Sequence, residues 1–256
     1  TTTFSFNPTP QSNATFKNSP ILFVSMAYKA HLMLALIVLG ALGMQLYLVK
    51  DTSTFTPDAY FHLRIIEHVA DKGILPVKDT LSFGGRTLLV SPLFYYVMAG
   101  LSFFVHLAIV LKFVPLMFIT LLPIIIFLTV SAITERDDAA LVSALLSAFI
   151  PITFSKTLFS LSPLTLALPL TFAAMLIFIK IPRKYATTIF IIISVALAIV
   201  HPSTIIFIIA LLGYLVISRV EGLAMEKSEL ELVFFSTFLF IWVQFLIYKK
   251  AFLAHG

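Results

Sequence analysis

Ionisable side chains are concentrated in one polar stretch of an otherwise apolar chain, between residues 57 and 93. Asp58, His62 and Arg64 lie close together at its start, and Arg86 follows a Gly-Gly pair. A carboxylate, an imidazole and two guanidinium groups can bind polar or charged ligands. Because so apolar a chain has little reason to keep such a stretch otherwise, we expect that a polar substrate is handled here.

The segment around Asp58 has the pattern of an amphipathic helix lying on a membrane surface. Thr56, Pro57 and Asp58 make a favourable helix start, and Gly73 supplies a C-terminal stop. Between them the apolar residues share one stripe and the polar residues lie largely off it: Phe61, Ile65, Ile66, Val69 and Ala70 against His62, Glu67, His68, Asp71 and Lys72. An acid in the first turn is also stabilised simply by the helix dipole, so spacing alone leaves the role of Asp58 open.

Membrane-spanning helices must hold this polar stretch in place. Of the 256 residues, 60% are hydrophobic and 11% are charged, against about 25% charged in soluble domains. The apolar runs are long and lack the alternation of barrel strands. Cysteine is absent, which excludes disulfides, thiol nucleophiles and Cys-ligated zinc. A formal net charge of +5 is ordinary for a membrane protein, and we expect no nucleic-acid partner.

The hydrophobic pattern predicts an all-α polytopic membrane protein with about seven transmembrane helices. A polar N-terminal tail over 1–30 precedes a transmembrane region over 31–256, in which 50–109 forms the first loop. A helix over 91–106 is too short to cross the bilayer comfortably. The predicted spans cover 31–49, 110–133, 139–155, 163–179, 186–200, 203–218 and 232–248.

Basic residues set the predicted orientation, because Lys and Arg favour the cytoplasmic side of a membrane. If 91–106 does not cross, the basic residues before the first span and after the fourth and sixth spans share one face: Lys17, Lys29, Lys180, Arg183, Lys184 and Arg219. The first loop, the 157–162 turn and His201 then share the other face. We therefore expect a plasma-membrane protein with an external first loop, although Lys249 and Lys250 do not follow this rule.

Four short motifs in the first loop carry a family resemblance. They are Asp58-Ala-Tyr-Phe-His-Leu-Arg64, Gly73-Ile-Leu-Pro76, Asp79-Thr-Leu-Ser-Phe-Gly-Gly-Arg86 and Pro92-Leu-Phe-Tyr-Tyr96. This loop resembles that of the GT-C membrane glycosyltransferases, and it is most similar to the catalytic subunit of archaeal-type oligosaccharyltransferases. The resemblance implies two juxtamembrane helices in the loop, on the N-terminal transmembrane module of that family.

The resemblance also implies roles for the ionisable residues. Asp58 matches the first-loop aspartate, which helps to bind a divalent cation and to orient the acceptor beside a lipid-linked sugar donor. Mg²⁺ or Mn²⁺ suits such oxygen ligands and would neutralise charge on the leaving phosphate. Arg64 and Arg86 would contact that phosphate, unless they only extend to the membrane interface. His62 and His201 are substrate contacts, or else a packed interfacial histidine and the polar cap of a turn.

Two departures from the family pattern leave the activity open. The turn over 156–163 has no carboxylate where the family has a second acidic motif, and the Trp-Trp-Asp signature is absent because Trp242 is the only tryptophan. We expect either a fragment or a reduced relative of the family.

Two functions therefore follow from the sequence. The first is an enzyme that transfers a sugar or glycan from a polyprenyl-phosphate-linked donor at the external membrane face, with a divalent cation. The second is a non-catalytic membrane subunit or anchor of a larger complex, with no cofactor. The expected partners are membrane lipid, the polyprenyl-phosphate-linked donor and other membrane subunits.

Overall fold

The computed structural model describes residues 20–50, 56–79, 85–150, 160–180 and 184–255. Within these ranges, the side chains of 20–27, 57, 86, 184 and 250–255 are outside the described part. Residues 1–19 of the predicted 1–30 tail, residues 156–159 of the 156–163 turn and Arg183 therefore also lie outside the described residues.

The described chain is almost entirely helical. Its helices are α1 (Pro20–Val49), α2 (Pro57–Lys72), α3 (Leu93–Leu101), α4 (Leu107–Thr134), α5 (Asp137–Phe149), α6 (Leu164–Ile179), α7 (Lys184–Val200), α8 (Ile205–Val220) and α9 (Lys227–His255). A short 3₁₀ turn, Pro202–Thr204, joins α7 to α8. Two strands, β1 (Lys78–Asp79) and β2 (Arg86–Thr87), pair antiparallel in the first loop.

Four segments of the described chain are long and apolar enough to cross a membrane: Tyr28–Val49, Leu107–Thr134, Pro202–Val220 and Lys227–Lys249. The other apolar helices are shorter, with 16 residues in α6 and 17 in α7, and α5 has 13 residues. Since a helix needs about 20 residues to cross the hydrocarbon core, the prediction of a helical membrane protein is confirmed, whereas the number of seven spans is not.

Several predicted helix boundaries differ from the structure. Helix α5 ends at Phe149 and not at residue 155, and α9 covers Lys227–His255 and not 232–248. Helix α1 begins at Pro20 and not at residue 31, because proline is favourable at a helix start and residues 21–30 contain no glycine or further proline. The helix predicted over 91–106 ends at Leu101. Beyond it the chain turns at Ser102, whose Oγ donates to the Ala99 carbonyl at 2.6 Å, and Phe103 and Phe104 are exposed.

Helix α4 is the centre of one part of the bundle, where it contacts α1, α3, α5 and α6. Helix α7 links this part to the rest, because it contacts α3, α6 and α9, and α9 contacts α8. Small side chains allow close helix approach in a membrane, and Ala140, Ala144, Ala174 and Ala198 are fully buried. Large apolar side chains on the outer surface of the bundle, such as Leu36 and Phe238, are exposed, as lipid-facing residues are.

Helices α2 and α3 pack against each other at one end of the bundle. Ile66 on α2 and Phe94 and Met98 on α3 are fully buried there. The end of α1 lies at the same end of the bundle, because the Lys112 Nζ at the start of α4 donates to the Lys50 carbonyl at 3.3 Å. The amphipathic pattern of α2 therefore positions its polar residues around this end.

Gly73 ends α2 and reverses the chain. It has a φ of 73°, in the left-handed region, and its backbone N–H donates to the Val69 carbonyl at 2.8 Å. The following segment returns beside α2 as the ladder in which Asp79 pairs with Arg86. This ladder is extended by the Leu88 N–H, which donates to the Val77 carbonyl at 2.9 Å.

Candidate functional site

Asp58 and His62 lie one helical turn apart on α2. Asp58 is exposed in the first turn, whereas His62 is largely covered. The His62 Nδ1 lies 2.8 Å from the hydroxyl oxygen of Tyr95 on α3, and the two rings are stacked with centroids 5.8 Å apart. Because Tyr95 is 1% exposed, this contact fixes the orientation of the imidazole. We call Asp58, His62, Tyr95 and His201 the histidine face.

Electrostatics show that His201 and Asp58 both lie near His62. The pKa of His62 is lowered from 6.5 to about 4, chiefly by burial and next by His201, against an opposing contribution from Asp58. Burial, followed by the proximity of Tyr248, raises the pKa of the Tyr95 hydroxyl above its usual value. Both groups are therefore neutral near pH 7, and their hydrogen bond joins an uncharged imidazole to an uncharged phenol.

His201 caps the 3₁₀ turn between α7 and α8. Its Nδ1 accepts a hydrogen bond from the Ser203 backbone N–H at 3.1 Å and lies 2.6 Å from the Ser203 Oγ. Since Nδ1 is an acceptor, the proton of the neutral ring is on Nε2. Burial lowers the pKa of His201. The Nδ1 of His201 therefore caps the turn, and its Nε2 is the atom that could donate a hydrogen bond to a ligand.

Arg64 points to the other side of α2, away from the histidine face. Its Nη1 lies 3.3 Å from the Oδ1 of Asp79 on β1, and the side chains are 39% and 17% exposed, respectively. Arg64 and Asp79 line a cleft of about 410 Å³ between α2 and the ladder. The structure thus brings Asp58, His62 and His201 together, and it places Arg64 in a separate cleft.

Arg86 is described only in its backbone, which pairs with Asp79 in the ladder. Its side chain lies outside the described residues, so its predicted phosphate contact stays a prediction. Among the described residues, no three His, Asp or Glu side chains are grouped closely enough to hold a metal ion. The part of the histidine face that is described therefore does not fit a complete protein-built cation site.

Sequence reasoning missed two parts of this end of the molecule. One is Tyr95, which holds His62. The signal for it was a tyrosine in an apolar juxtamembrane helix, because a buried Tyr hydroxyl usually needs a hydrogen-bond partner. The other is the cleft beside Arg64, which depends on the pairing of β1 with β2. Two-residue strands with no alternating pattern give no such signal.

Comparison with known proteins shows a fold that this chain shares with a solved structure, and it does not assign the chain to a family. No family model matches the chain, and no curated protein matches it by sequence. A crystal structure of the Archaeoglobus fulgidus oligosaccharyltransferase, in complex with zinc and sulfate, matches with a TM-score of 0.65 and 14% identity over 84% of this chain. The aligned part is 31% of that protein's own chain, so this chain spans about a third of its length. At this identity the similarity establishes a shared helical membrane fold.

Proposed function

We propose that the protein is a glycosyltransferase of the GT-C type that transfers a sugar or glycan from a polyprenyl-phosphate-linked donor to an acceptor at the external membrane face. The observation that carries this proposal is the histidine face, on a fold shared with an oligosaccharyltransferase. There an exposed carboxylate, Asp58, stands beside a neutral imidazole that is held in one orientation by Tyr95.

Asp58 is the residue that would contact the acceptor. An exposed carboxylate can accept a hydrogen bond from the attacking amide or hydroxyl group and so orient it toward the sugar. His62 lies one turn further along the same face and carries no charge near pH 7, because its pKa is about 4. A neutral imidazole there can donate or accept a hydrogen bond without attracting the anionic donor by charge. The His201 Nε2 would add a second donor to the same substrate.

The donor phosphate would be a ligand of Arg86, whose guanidinium is suited to bidentate phosphate contacts. The predicted phosphate contact of Arg64 stays a prediction, because Arg64 pairs with Asp79 in the separate cleft. A divalent cation such as Mg²⁺ or Mn²⁺ would be held by Asp58 and by oxygens of the donor phosphate, and it would neutralise charge on the leaving group.

A non-catalytic role as a membrane subunit or anchor is the second candidate. It is favoured by the distribution of acids, because the sequence contains no Asp or Glu between Asp138 and Glu221. A second external carboxylate in this chain would therefore have to come from the first loop itself. Such a subunit would keep the fold and bind its partners without transferring sugar.

Transfer of radiolabelled sugar from polyprenyl-linked donors, with Mn²⁺ or with EDTA, separates the two candidates. Membranes containing the wild-type chain are compared with Asp58→Asn and with Asp71→Asn, which changes an exposed acid at the far end of the same helix. Metal-dependent transfer that is lost in Asp58→Asn and kept in Asp71→Asn supports the enzyme. Absence of transfer above background, with folded protein and its native partners present, contradicts it and favours the subunit.

A further inference from the structure

The cleft beside Arg64 has a cationic wall. Arg64, His68 and Lys72 follow each other at intervals of four residues along α2, so they form one stripe, and Lys78 faces them from β1. Asp79 is the one acid in the lining. The three Lys and Arg charges and the one Asp charge of the lining give it a formal charge of +2.

Two of these cations have no counter-ion in the described part of the chain. Arg64 is paired with Asp79, whereas neither Lys72 nor Lys78 has an ion pair there. Like charges held around one cleft repel each other, and an anion placed between them removes that repulsion. A phosphate group, with several acceptor oxygens and a negative charge, matches this arrangement.

The same cleft also has an apolar lining, which we call its floor. Phe61, Ile65 and Leu88 belong to it. At its lip, Ile74 and Val77 are 62% and 63% exposed, in the turn that follows α2. Apolar side chains in such a turn favour insertion into the headgroup region of a bilayer, and α2 has the amphipathic pattern of a helix that lies there.

We propose that this cleft binds the phosphate of an anionic phospholipid, with the glycerol end of the acyl chains on the apolar floor. The site would anchor the first loop to the membrane surface. It is separate from the proposed glycosyl-transfer site, because neither Asp58 nor His62 is among the described residues that line this cleft. A bilayer lipid is favoured over free phosphate because the floor and the lip are apolar.

Native mass spectrometry of the full chain, delipidated in detergent, tests this site with phosphatidylglycerol and phosphatidylcholine as probes. The test variant is Lys72→Gln/Lys78→Gln. The matched control is Lys180→Gln/Arg219→Gln, which removes two exposed cations at the ends of α6 and α8. Arg219 lies 14 residues after Ile205, the first residue of α8, and is therefore about 21 Å from it along the helix axis.

We expect the wild type and the control to retain phosphatidylglycerol in preference to phosphatidylcholine, and the test variant to bind phosphatidylglycerol on the order of 30-fold more weakly. Equal retention of both lipids by the wild type would overturn the proposal, as would unchanged selectivity in the test variant. A third arm adds glycerol phosphate. If it displaces the lipid at equal concentration, the site takes soluble phosphate and the lipid assignment is wrong.

Discussion

The two sides of α2 handle their ionisable groups in opposite ways. On the histidine face, His62 is covered, neutral and held by Tyr95. In the cleft, Lys72 and Lys78 are exposed and have no ion pair in the described part of the chain. Both sides belong to one 16-residue helix, and the difference arises from what packs against each. Helix α3 packs against the first side. On the second side, the cleft lies between α2 and the β1–β2 ladder.

This difference indicates a division of roles. Reactive groups need a fixed orientation and an environment that sets their protonation state. Groups that bind a lipid phosphate need access to solvent and a retained charge. A single amphipathic helix can supply both, because residues four apart share a side and the next stripe faces elsewhere.

The largest effect on stability is expected from removing the support of the histidine face. Tyr95→Ala deletes a buried aromatic ring, which costs about 3–5 kcal/mol. Tyr95→Phe keeps the ring and loses only the bond to His62, which costs about 1 kcal/mol. Thermal unfolding in detergent measures both. Equal losses in the two variants would mean that the hydrogen bond, and not the packing, holds this face.

The neutral state of His62 predicts a loss of stability in acid. Its folded pKa is about 4, against 6.5 for a free histidine, so between these values the unfolded chain binds a proton that the folded chain does not. Stability is therefore highest above pH 6.5 and falls as the pH drops toward 4. Asp58 opposes this shift, and His201 adds to it.

Unfolding temperatures between pH 7 and pH 4 check this prediction. His62→Asn should show a smaller decrease than the wild type across this range, because it removes the titrating group. His106→Asn, which changes an exposed histidine before α4, is the matched control for the removal of a histidine. An unchanged slope in His62→Asn would show that another group causes the acid sensitivity.

A moderate effect is expected at the turn that forms the cleft. Gly73 has a φ of 73°, and the space that a Cβ would occupy there is open, so Gly73→Ala costs about 1 kcal/mol through backbone strain alone. Gly100→Ala in α3 also meets no neighbouring atom and has no positive φ, and it should be neutral or slightly stabilising. Thermal unfolding distinguishes them. Similar behaviour of both variants would contradict a left-handed stop at Gly73.

The smallest effect is expected at the ion pair between Arg64 and Asp79 in the cleft. Arg64 and Asp79 are 39% and 17% exposed, so solvent screens their attraction. A double-mutant cycle with Arg64→Gln and Asp79→Asn should give a coupling of about 0.2–1 kcal/mol. A much larger coupling would show that this pair, and not the ladder, fixes the loop against α2.

Local signals in the sequence predicted α2 well. Pro57 and Asp58 at its start and Gly73 at its end are residues whose backbone preferences act within a few positions, and the structure has the helix at Pro57–Lys72. The amphipathic stripe likewise predicted which residues would be buried, such as Ile65 and Ile66. These features depend on neighbours in the chain and on the membrane.

Contacts between distant segments could not be predicted in the same way. His62 meets Tyr95 across 33 positions, and α7, which ends before His201, packs against α3, the helix that also contacts α2. The pairing of Arg64 with Asp79 depends on how the chain returns after Gly73. No periodicity in one sequence encodes these approaches. The seven predicted spans likewise stay unconfirmed, because apolar composition locates α6 and α7 but does not state whether helices of 16 and 17 residues cross the membrane.

The most direct test of the central claim compares the two sides of α2 in one transfer assay. Initial rates of sugar transfer are measured for Asp58→Asn and for Lys72→Gln/Lys78→Gln in the same membranes, at equal amounts of folded protein. The division of roles predicts that Asp58→Asn loses at least about 100-fold, while the lysine variant keeps a rate close to that of the wild type. Equal loss in both variants, or full activity in Asp58→Asn, would contradict it.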